Sequence, residues 1–577
     1  MKQINFMKNT ELKGERKTVW SDVQIKAHDM LSGTVTADVA VIGAGLCGML
    51  TAYRLAARGA DVAVIEADRI GGGQTMGTTA KITVQHGAIL GKLADSFGER
   101  AAAIYAYRNG LAIEEYKALC EHLAAEYGDD ALCDFEYAPA YLYTITNEHI
   151  LEREYDIAKR FGIKAVLASD TELPIRISTA LKFEDQAKFN PRKLLKYLSE
   201  RERSAGKLRI YEQTRAVDID RMSSGKNMVK AINGDGMRVG VIASNVVFAC
   251  HFPFMNFPGL YFARMHQSRS YVIGIQGEAV GADGFKGMYK GIDRGSLSFR
   301  SVKDGTGNNI MLIGGEGHRT GSMPGKDRHG EPVGRYDLLL RRTKALFGEK
   351  YDCKCRGDSE KFGGFSVIYR WSAQDIMTVD GLPYIGRFSD GGKTADGWYV
   401  ATGFGKWGMT NSMVAADILC DLICRDSERA EEQNNAGNER EGLPAWKSLR
   451  AAEKIYAPDR VPGKGAAGRL FGEMGHSVSG LAKQQLAFPI GISKTPEELK
   501  PGEGGVVRLK GYTVGAYRDE AGKLHIVTVK CPHLGCRLVF NPEEKSWDCP
   551  CHGSRFDIDG KRLSGPATSD IGVSFHE

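Results

Sequence analysis

The sequence predicts an α/β lobe, a large mixed α+β middle region and a small all-β domain at the C-terminal end. Three observations carry that expectation. Residues 38–66 read as a strand, a helix and a second strand, residues 425–445 are almost wholly polar, and four cysteines crowd into residues 531–551 among short strands and turns. A chain of 577 residues, at roughly 150 residues per domain, has room for about two to four domains.

In chain order, Asp38-Val-Ala-Val-Ile42 reads as a buried strand, its four residues after Asp38 being an apolar run of the kind buried on both faces of a parallel sheet. Leu46, Met49, Leu50, Tyr53 and Ala57 then repeat at helical spacing, and Gly59 suits the helix stop. Asp61-Val-Ala-Val-Ile65 is a second buried strand, ending at Glu66. The middle region mixes a helical stretch at 100–127 with strand-like runs at 271–275, 296–302 and 311–313, and shows no repeat of fixed period. The polar stretch at 425–445 marks a linker. From Gly505 onward come strands at 506–509 and 512–517, the turn Asp519-Glu-Ala-Gly522, and a strand at 524–529. The expected division is a tail at 1–35, the main lobes at 36–424, a linker at 425–485 and the terminal domain at 486–577.

Composition narrows the function. Apolar residues make up 42% and charged residues 26%, with 70 glycines, which describes a loop-rich globular protein. The net charge of +6 is too small for a nucleic-acid-binding surface on a chain of this size. Half of it falls in the first 26 residues, where six Lys/Arg face three acids, and that segment reads as a solvated tail. No apolar run reaches the roughly 18 residues a membrane span needs, the nearest being Val39 to Tyr53 with its three glycines, and no secretion signal is found, so the expected location is cytoplasmic.

Gly43-Ala-Gly45-Leu-Cys-Gly48 matches a phosphate-binding glycine pattern, one of three such matches. Context separates them. The first lies between a buried strand and an amphipathic helix, with Glu66 following 23 residues after Gly43. Glycines allow the backbone to approach a pyrophosphate, the helix N-terminus supplies N–H groups, and the carboxylate accepts ribose hydroxyls. Cys47 within it is a small packing residue. The second match, Gly403-Phe-Gly405-Lys-Trp-Gly408, follows a strand-like run and precedes a helical one, but no second strand and acid come after it. It suits a helix N-terminus aimed at an electron-rich group rather than an independent nucleotide. The third, Gly463-Lys-Gly465-Ala-Ala-Gly468, follows two prolines and reads as loop.

With the segments Gly71-Gly-Gly-Gln-Thr-Met-Gly-Thr-Thr-Ala-Lys81, Asp380-Gly-Leu-Pro-Tyr-Ile-Gly386 and Val400-Ala-Thr-Gly-Phe-Gly-Lys-Trp-Gly-Met409, residues 36–424 resemble the FAD-dependent D-amino-acid oxidase/glycine oxidase superfamily, including its DadA-like dehydrogenases. The resemblance implies a Rossmann-like FAD-binding fold with an inserted α+β substrate domain, and FAD as the nucleotide. It places Thr78, Thr79 and Lys81 along the pyrophosphate and ribityl chain, and the backbone of Val217 at the adenine. Gly403, Gly408 and Met409 would stand at the flavin C2 carbonyl.

Cys531-Pro-His533-Leu-Gly-Cys536 and Cys549-Pro-Cys551-His552-Gly-Ser554 offer six candidate ligands, two more than a tetrahedral zinc needs. Zinc, an iron-sulfur centre and a structural disulfide cluster all remain open on spacing. The segment strongly resembles Rieske domains, and the resemblance assigns Cys531, His533, Cys549 and His552 to a [2Fe-2S] cluster and pairs Cys536 with Cys551 in a disulfide. It also places Ser554 where high-potential members carry a hydroxyl, and Phe556 where they carry a Tyr. The order of the two parts resembles the YhfW-like type of bacterial protein.

In amino-acid-oxidising members of the superfamily, a W-x-G-x-R stretch supplies an Arg to the substrate carboxylate. This chain reads Trp371-Ser-Ala-Gln-Asp375 there, a charge reversal that speaks against clamping an amino-acid carboxylate and favours a cationic amine or a polyol, or else makes Asp375 a helix cap or surface pair. His86 and Lys406 are the other catalytic candidates, as a group near flavin N5 and as a partner for the reduced flavin. Tyr271 faces the same pocket, and Cys353-Lys-Cys355 is incidental. The function expected is a dehydrogenase acting on a small-molecule substrate and passing electrons from FAD through the cluster to an electron-acceptor protein or quinone. The alternative is a non-enzymatic or regulatory electron-transfer module reduced by a partner protein. An NAD(P)H-fed reductase lacks a second nucleotide domain, and a Rieske oxygenase lacks a 2-His-1-carboxylate set.

Overall fold

The computed structural model describes residues 17–572 apart from 206, 282, 323–324, 327–331, 348–363, 389–394, 432–443, 464, 466–467, 469–471 and 473–493. Cys353, Cys355 and much of the expected linker lie outside the described residues, as do three residues of the third glycine match.

Two eight-stranded sheets build the main part of the chain. In the first, Thr34–Ile42 pairs in parallel with both Val62–Ile65 and Arg238–Phe248. Leu208–Tyr211 extends it on one side, and the antiparallel strands Thr214–Arg221 and Asn227–Asn233 extend it on the other. Trp398–Thr402 joins beside the C-terminal end of Arg238–Phe248 and carries Tyr384–Arg387. Val39 to Ile42 and Val62 to Ile65 are buried, as their unbroken apolar runs require. The helix Leu46–Ala57 ends just before Gly59, whose φ of +94° is the left-handed region. It packs against the long helix Gly408–Glu431.

The second sheet runs Phe365–Thr378, Met265–Gly277, Asn309–Arg319, Ser298–Lys303, Met288–Gly291, Ala140–Thr144, Thr179–Phe183, Ala165–Ala168. The helical stretch expected at 100–127 is the helix Glu99–Tyr127. The terminal domain is all-β: a three-stranded sheet (Gly504–Leu509, Tyr512–Arg518, Leu524–Thr528) and a four-stranded one (Val539–Asn541, Ser546–Asp548, Arg555–Phe556, Arg562–Ser564). Trp547 is fully buried between them, and Gly515 makes room for it, since a Cβ there would stand 2.6 Å from the indole.

Two expectations are corrected. The described end of the segment read as a solvated tail is packed: Val19 and Trp20 are buried, the Trp20 indole donates to Thr78 O at 2.8 Å, and the Arg300 guanidinium lies over its ring. A single tryptophan brings more apolar surface than the flanking lysines can hold in water. The expected linker at 425–485 is folded where it is described. Its first residues belong to the helix Gly408–Glu431, and the helix Leu449–Tyr456 buries Ala452 and Tyr456. Arg460 then grips both oxygens of Asp380, at 2.7 and 2.8 Å. No described helix is long and apolar enough to cross a membrane.

Candidate functional site

The turn after Thr34–Ile42 explains its glycines one by one. Gly43 has φ +105°, and a Cβ there would meet Ala249 O at 2.7 Å. A Cβ on Gly48 would stand 1.9 Å from Gly43 O, so the helix closes onto the turn only without a side chain. Gly45 is different: its nearest neighbour would be Thr75 Oγ1 at 3.4 Å, leaving the space above the helix N-terminus open. Glu66 accepts the N–H groups of Ala44 at 2.7 Å and Asp68 at 2.9 Å, while burial raises its carboxyl above the ordinary range.

From there a cavity of about 1160 Å³ runs inward, larger than the roughly 300–1,000 Å³ of ordinary small-molecule pockets. Its walls carry Gly43, Gly45, Glu66, Thr78, Thr79, Lys81, His86, Asp375, Gly403, Lys406, Gly408 and Met409, all expected from the sequence. Gly48 is in the turn but not in the wall. Val217 sits at a bulge between Ala216 and Asp218, and residues 213–216, not Val217, form that part of the wall. An elongated cavity starting at a pyrophosphate turn, an acid and a helix N-terminus, and ending at a second helix N-terminus, fits a flavin dinucleotide.

The inner end holds the chemistry. Asp375 is neither helix cap nor surface pair: it lies on the strand Phe365–Thr378, half-buried, and lines the cavity. Burial raises its carboxyl, and Lys406 opposes that rise. Lys406 has a left-handed φ of +76° and donates to Ser270 Oγ at 2.6 Å. Its accessible surface opens into the cavity, where the surrounding protein lowers its ammonium and Asp375 raises it. Lys81 is committed, donating to Tyr289 O and Ser298 Oγ, both at 2.9 Å. His86 is buried, stacks on Trp407 with ring centroids 4.7 Å apart, and bonds Tyr105 OH through Nδ1. Burial pushes its pKa down to about 3, so it is neutral, and its Nε2 has no partner among the described residues. Tyr271 lines the cavity and its OH pairs with His318 at 3.2 Å.

The four expected cluster ligands also come together. Cys531, Cys549 and His552 are buried, and the His533 and His552 rings meet edge to face with centroids 5.0 Å apart. His533 Nε2 bonds Asn256 Oδ1 at 2.6 Å; its Nδ1 is buried without a hydrogen-bond partner among the described residues. A neutral imidazole so arranged keeps its lone pair on Nδ1, which suits a metal ligand. The Cys531 thiol is pulled down to about 7, first by Cys549, against the opposing effect of burial, and then by the His533 N–H, Ser554 and the Leu534 N–H. Thiolate-favouring amides and an orphaned imidazole nitrogen fit an iron-sulfur centre. Cys536 and Cys551 form a disulfide between the two loops.

The terminal domain docks on the back of the cavity. Along Phe365–Thr378, Gln374 and Asp375 are consecutive and point to opposite faces. Asp375 faces the cavity, while Gln374 Nε2 donates to Gly553 O at 2.7 Å. On the neighbouring strand, Gln267 Nε2 donates to His552 O and to Gly565 O, and Gln267 Oε1 accepts from Gln374 Nε2. Arg269 is buried, donates to Ser372 Oγ and Gln374 Oε1, and lies 3.7 Å from Glu544. Gly553 is required here: its φ is +78°, and a Cβ would stand 2.8 Å from the Gln267 side chain. His552 lies edge to face with Phe252 and Phe262. One thickness of sheet therefore separates the cavity from the His-bearing loop.

Sequence reasoning missed Lys290, Gln267, Gln374 and Asn256. Lys290 lines the cavity, and its ammonium is pushed down to about 8 by burial, then by Lys406 and Arg342. None belongs to a local motif. Gln267 stands in a polar run, His266 to Ser270, ahead of the apolar Tyr271 to Ile275, so the sequence around it gives no local signal.

The model of the family "FAD dependent oxidoreductase" matches residues 38–422, and that of the "Rieske [2Fe-2S] domain" matches residues 492–574. The chain is 33% identical over 560 residues to the Rieske 2Fe-2S iron-sulfur protein YhfW of Bacillus subtilis (strain 168), covering 96% of this chain and 97% of that one. Its terminal domain alone is 36% identical over 97 residues to cytochrome b6-f complex iron-sulfur subunit 1 of Nostoc sp., spanning 16% of this chain and 54% of that protein. Glycine oxidase from Geobacillus kaustophilus superposes with a TM-score of 0.52 at 19% identity, over 68% of this chain and 95% of that one. An L-amino acid deaminase from Proteus vulgaris superposes with a TM-score of 0.51 at 18% identity, over 77% and 98%. At these identities the structural likeness speaks to the fold.

Proposed function

The chain belongs to the FAD-dependent oxidoreductase family and ends in a Rieske [2Fe-2S] domain, and from that premise we propose that it oxidises a small amine, amino acid or hydroxy compound and delivers the electrons to an external protein or quinone. FAD supplies two-electron chemistry at the substrate carbon, and the 2Fe-2S cluster supplies one-electron exchange. In this reading Gly43, Gly45 and Gly48 shape the pyrophosphate turn, and Glu66 takes the ribose hydroxyls. Thr78, Thr79 and Lys81 follow the chain inward, the wall at 213–216, ending beside Val217, meets the adenine, and Gly403, Gly408 and Met409 form the flavin end. Cys531 and Cys549 hold one iron and His533 and His552 the other, with the Cys536–Cys551 disulfide holding the loops in register.

The chain's own residues then select and position the substrate. Asp375 accepts a hydrogen bond from the substrate's amine or hydroxyl. Lys290 and Lys406 meet an anionic group, supplying the cation that the Asp at position 375 denies. His86, neutral and fixed by Tyr105 and Trp407, offers a hydrogen-bonding nitrogen without a charge. The cavity wall excludes water from the reacting carbon.

The observation that carries the reading is the docking of the His552-Gly553 loop, through Gln267 and Gln374, onto the strands that also wall the cavity. Two redox sites separated by one sheet suit electron transfer within a single chain. The test is anaerobic mixing of the full chain with a panel of amines, amino acids, hydroxy acids and polyols. Flavin bleaching by at least one class, followed by loss of cluster absorbance, is expected, and Cys549→Ala should keep the first change and lose the second. Equal turnover of Cys549→Ala with stoichiometric peroxide would overturn the relay. Bleaching by NAD(P)H alone would replace it with a reductase, and bleaching by no small molecule with a module fed by a partner protein.

A further inference from the structure

The outer end of the cavity is walled partly by the terminal domain, through Lys561, Arg562, Ser564 and Pro566. These residues follow the cluster loop and are held rigidly. The Asp557 carboxylate accepts the N–H groups of Asp559 at 2.9 Å and Lys561 at 2.8 Å, and Ile571 N donates to Gly560 O at 2.9 Å. Arg562 N donates to Asp570 Oδ1 at 3.0 Å, and the same carboxylate oxygen lies 3.5 Å from Arg215 of the main lobe. Asp570 thus ties the terminal domain to the strand that follows the Glu66 corner, where Thr214 N donates to Glu66 O at 2.8 Å.

Two guanidinium groups, Arg215 and Arg562, stand at this corner with the carboxylates of Asp570 and Glu66. Arg562 uses Nε to hold Ala567 O, and no carboxylate among the described residues forms an ion pair with its guanidinium. Burial lowers the Arg562 guanidinium first, and the neighbouring Arg215 lowers it further, while Asp570 and Glu66 act the other way. The Arg215 Nε is buried with no hydrogen-bond partner among the described residues. Two neighbouring guanidinium groups, half-buried and facing a cavity, call for an anion with several acceptor oxygens. The cavity begins here at Gly43, Gly45 and Glu66, so the anion available from a group the chain binds is the diphosphate of the FAD adenylate half.

We propose that Arg562 of the terminal domain, together with Arg215, completes the cradle for the ADP half of FAD, so that the cluster domain also retains the nucleotide. A hydrogen bond to a charged group contributes roughly 1.5–3 kcal/mol, or about ten- to a hundredfold in affinity. The test uses the full chain, freed of flavin and titrated with FAD or riboflavin by quenching of flavin fluorescence, with cluster content followed in the visible spectrum. Arg562→Ala should weaken FAD about ten- to a hundredfold, leave riboflavin binding within about twofold, and keep the cluster. Arg562→Lys should recover part of the loss. FAD affinity of Arg562→Ala within about twofold of the parent would overturn the proposal, and so would equal losses for FAD and riboflavin, which would mark a general distortion. Binding of inorganic phosphate at this corner of the FAD-loaded protein, abolished by Arg562→Ala, would also overturn it by assigning the two arginines to a separate anion.

Discussion

Replacing Gln267 by Leu nearly preserves side-chain volume while removing the polar bridge between the two domains. Gln267 is 2% exposed, so no water substitutes readily for its amide. The change strips a donor from His552 O and from Gly565 O and an acceptor from Gln374. Each buried polar group left unsatisfied costs about 1–3 kcal/mol. Gln374 keeps its bond to Gly553 O, so the loss falls mainly on the two carbonyls, about 2–6 kcal/mol in all. At 1.4 kcal/mol per tenfold, opening of the cluster loop becomes roughly thirtyfold to twenty-thousandfold more frequent. Hydrogen exchange reads this directly, because Cys549 N and Gly553 N are bonded within that loop, to Ser554 O at 2.8 Å and Cys549 O at 2.9 Å. Their exchange should accelerate by that factor, while the hairpin Tyr512–Arg518 to Leu524–Thr528, remote from the bridge, should be unaffected. Combining Gln267→Leu with Gln374→Leu should lose less than the sum of the single changes, since the two side chains share one network. Loop exchange within about threefold of the parent would refute the clamp.

Two further outcomes follow from the site. Lys290, pushed down to about 8, is charged below that pH and neutral above it, so the affinity of a carboxylate probe such as benzoate, read from the flavin spectrum, should fall as pH rises through about 8. Lys290→Met should weaken the probe roughly tenfold at neutral pH and abolish the step, and a parent affinity constant across that range would contradict the assignment. Phe556 is fully buried and offers no hydroxyl to the cluster, so the potential should lie in the middle or lower part of the roughly −150 to +300 mV Rieske range. Phe556→Tyr should raise it by roughly 50 mV, the equivalent of a hydrogen bond of about 1 kcal/mol at 59 mV per tenfold. A redox titration placing the parent near the top of the range would refute this reasoning.

What was legible in the sequence is what is local in the chain. Gly43 and Gly48 are demanded by contacts with their own turn and the adjoining strand, and the cluster loops carry ligands two or three residues apart, so short spacings announced both. The buried runs at 38–42 and 61–65 told of a sheet covered on both faces. Asp375 was legible as a candidate through the resemblance, but its facing the cavity was not, because alternation along Phe365–Thr378 is blurred by residues facing two different interiors, the cavity on one side and the docked domain on the other. Gln267 and Gln374 are 107 residues apart and acquire their meaning only when the two strands pair. Trp20 and the helix Leu449–Tyr456 were hidden by polar neighbours, whose average charge outweighed the few apolar residues that decide burial.

The most direct check of in-chain wiring is anaerobic photoreduction of the full chain by a laser flash, with flavin and cluster absorbance followed together at several protein concentrations. Electron arrival at the cluster should be first-order, with a rate independent of concentration, because His552 is already docked against the cavity wall. A rate that climbs in proportion to protein concentration, or a flavin fully reduced beside a cluster that stays oxidised, would contradict it.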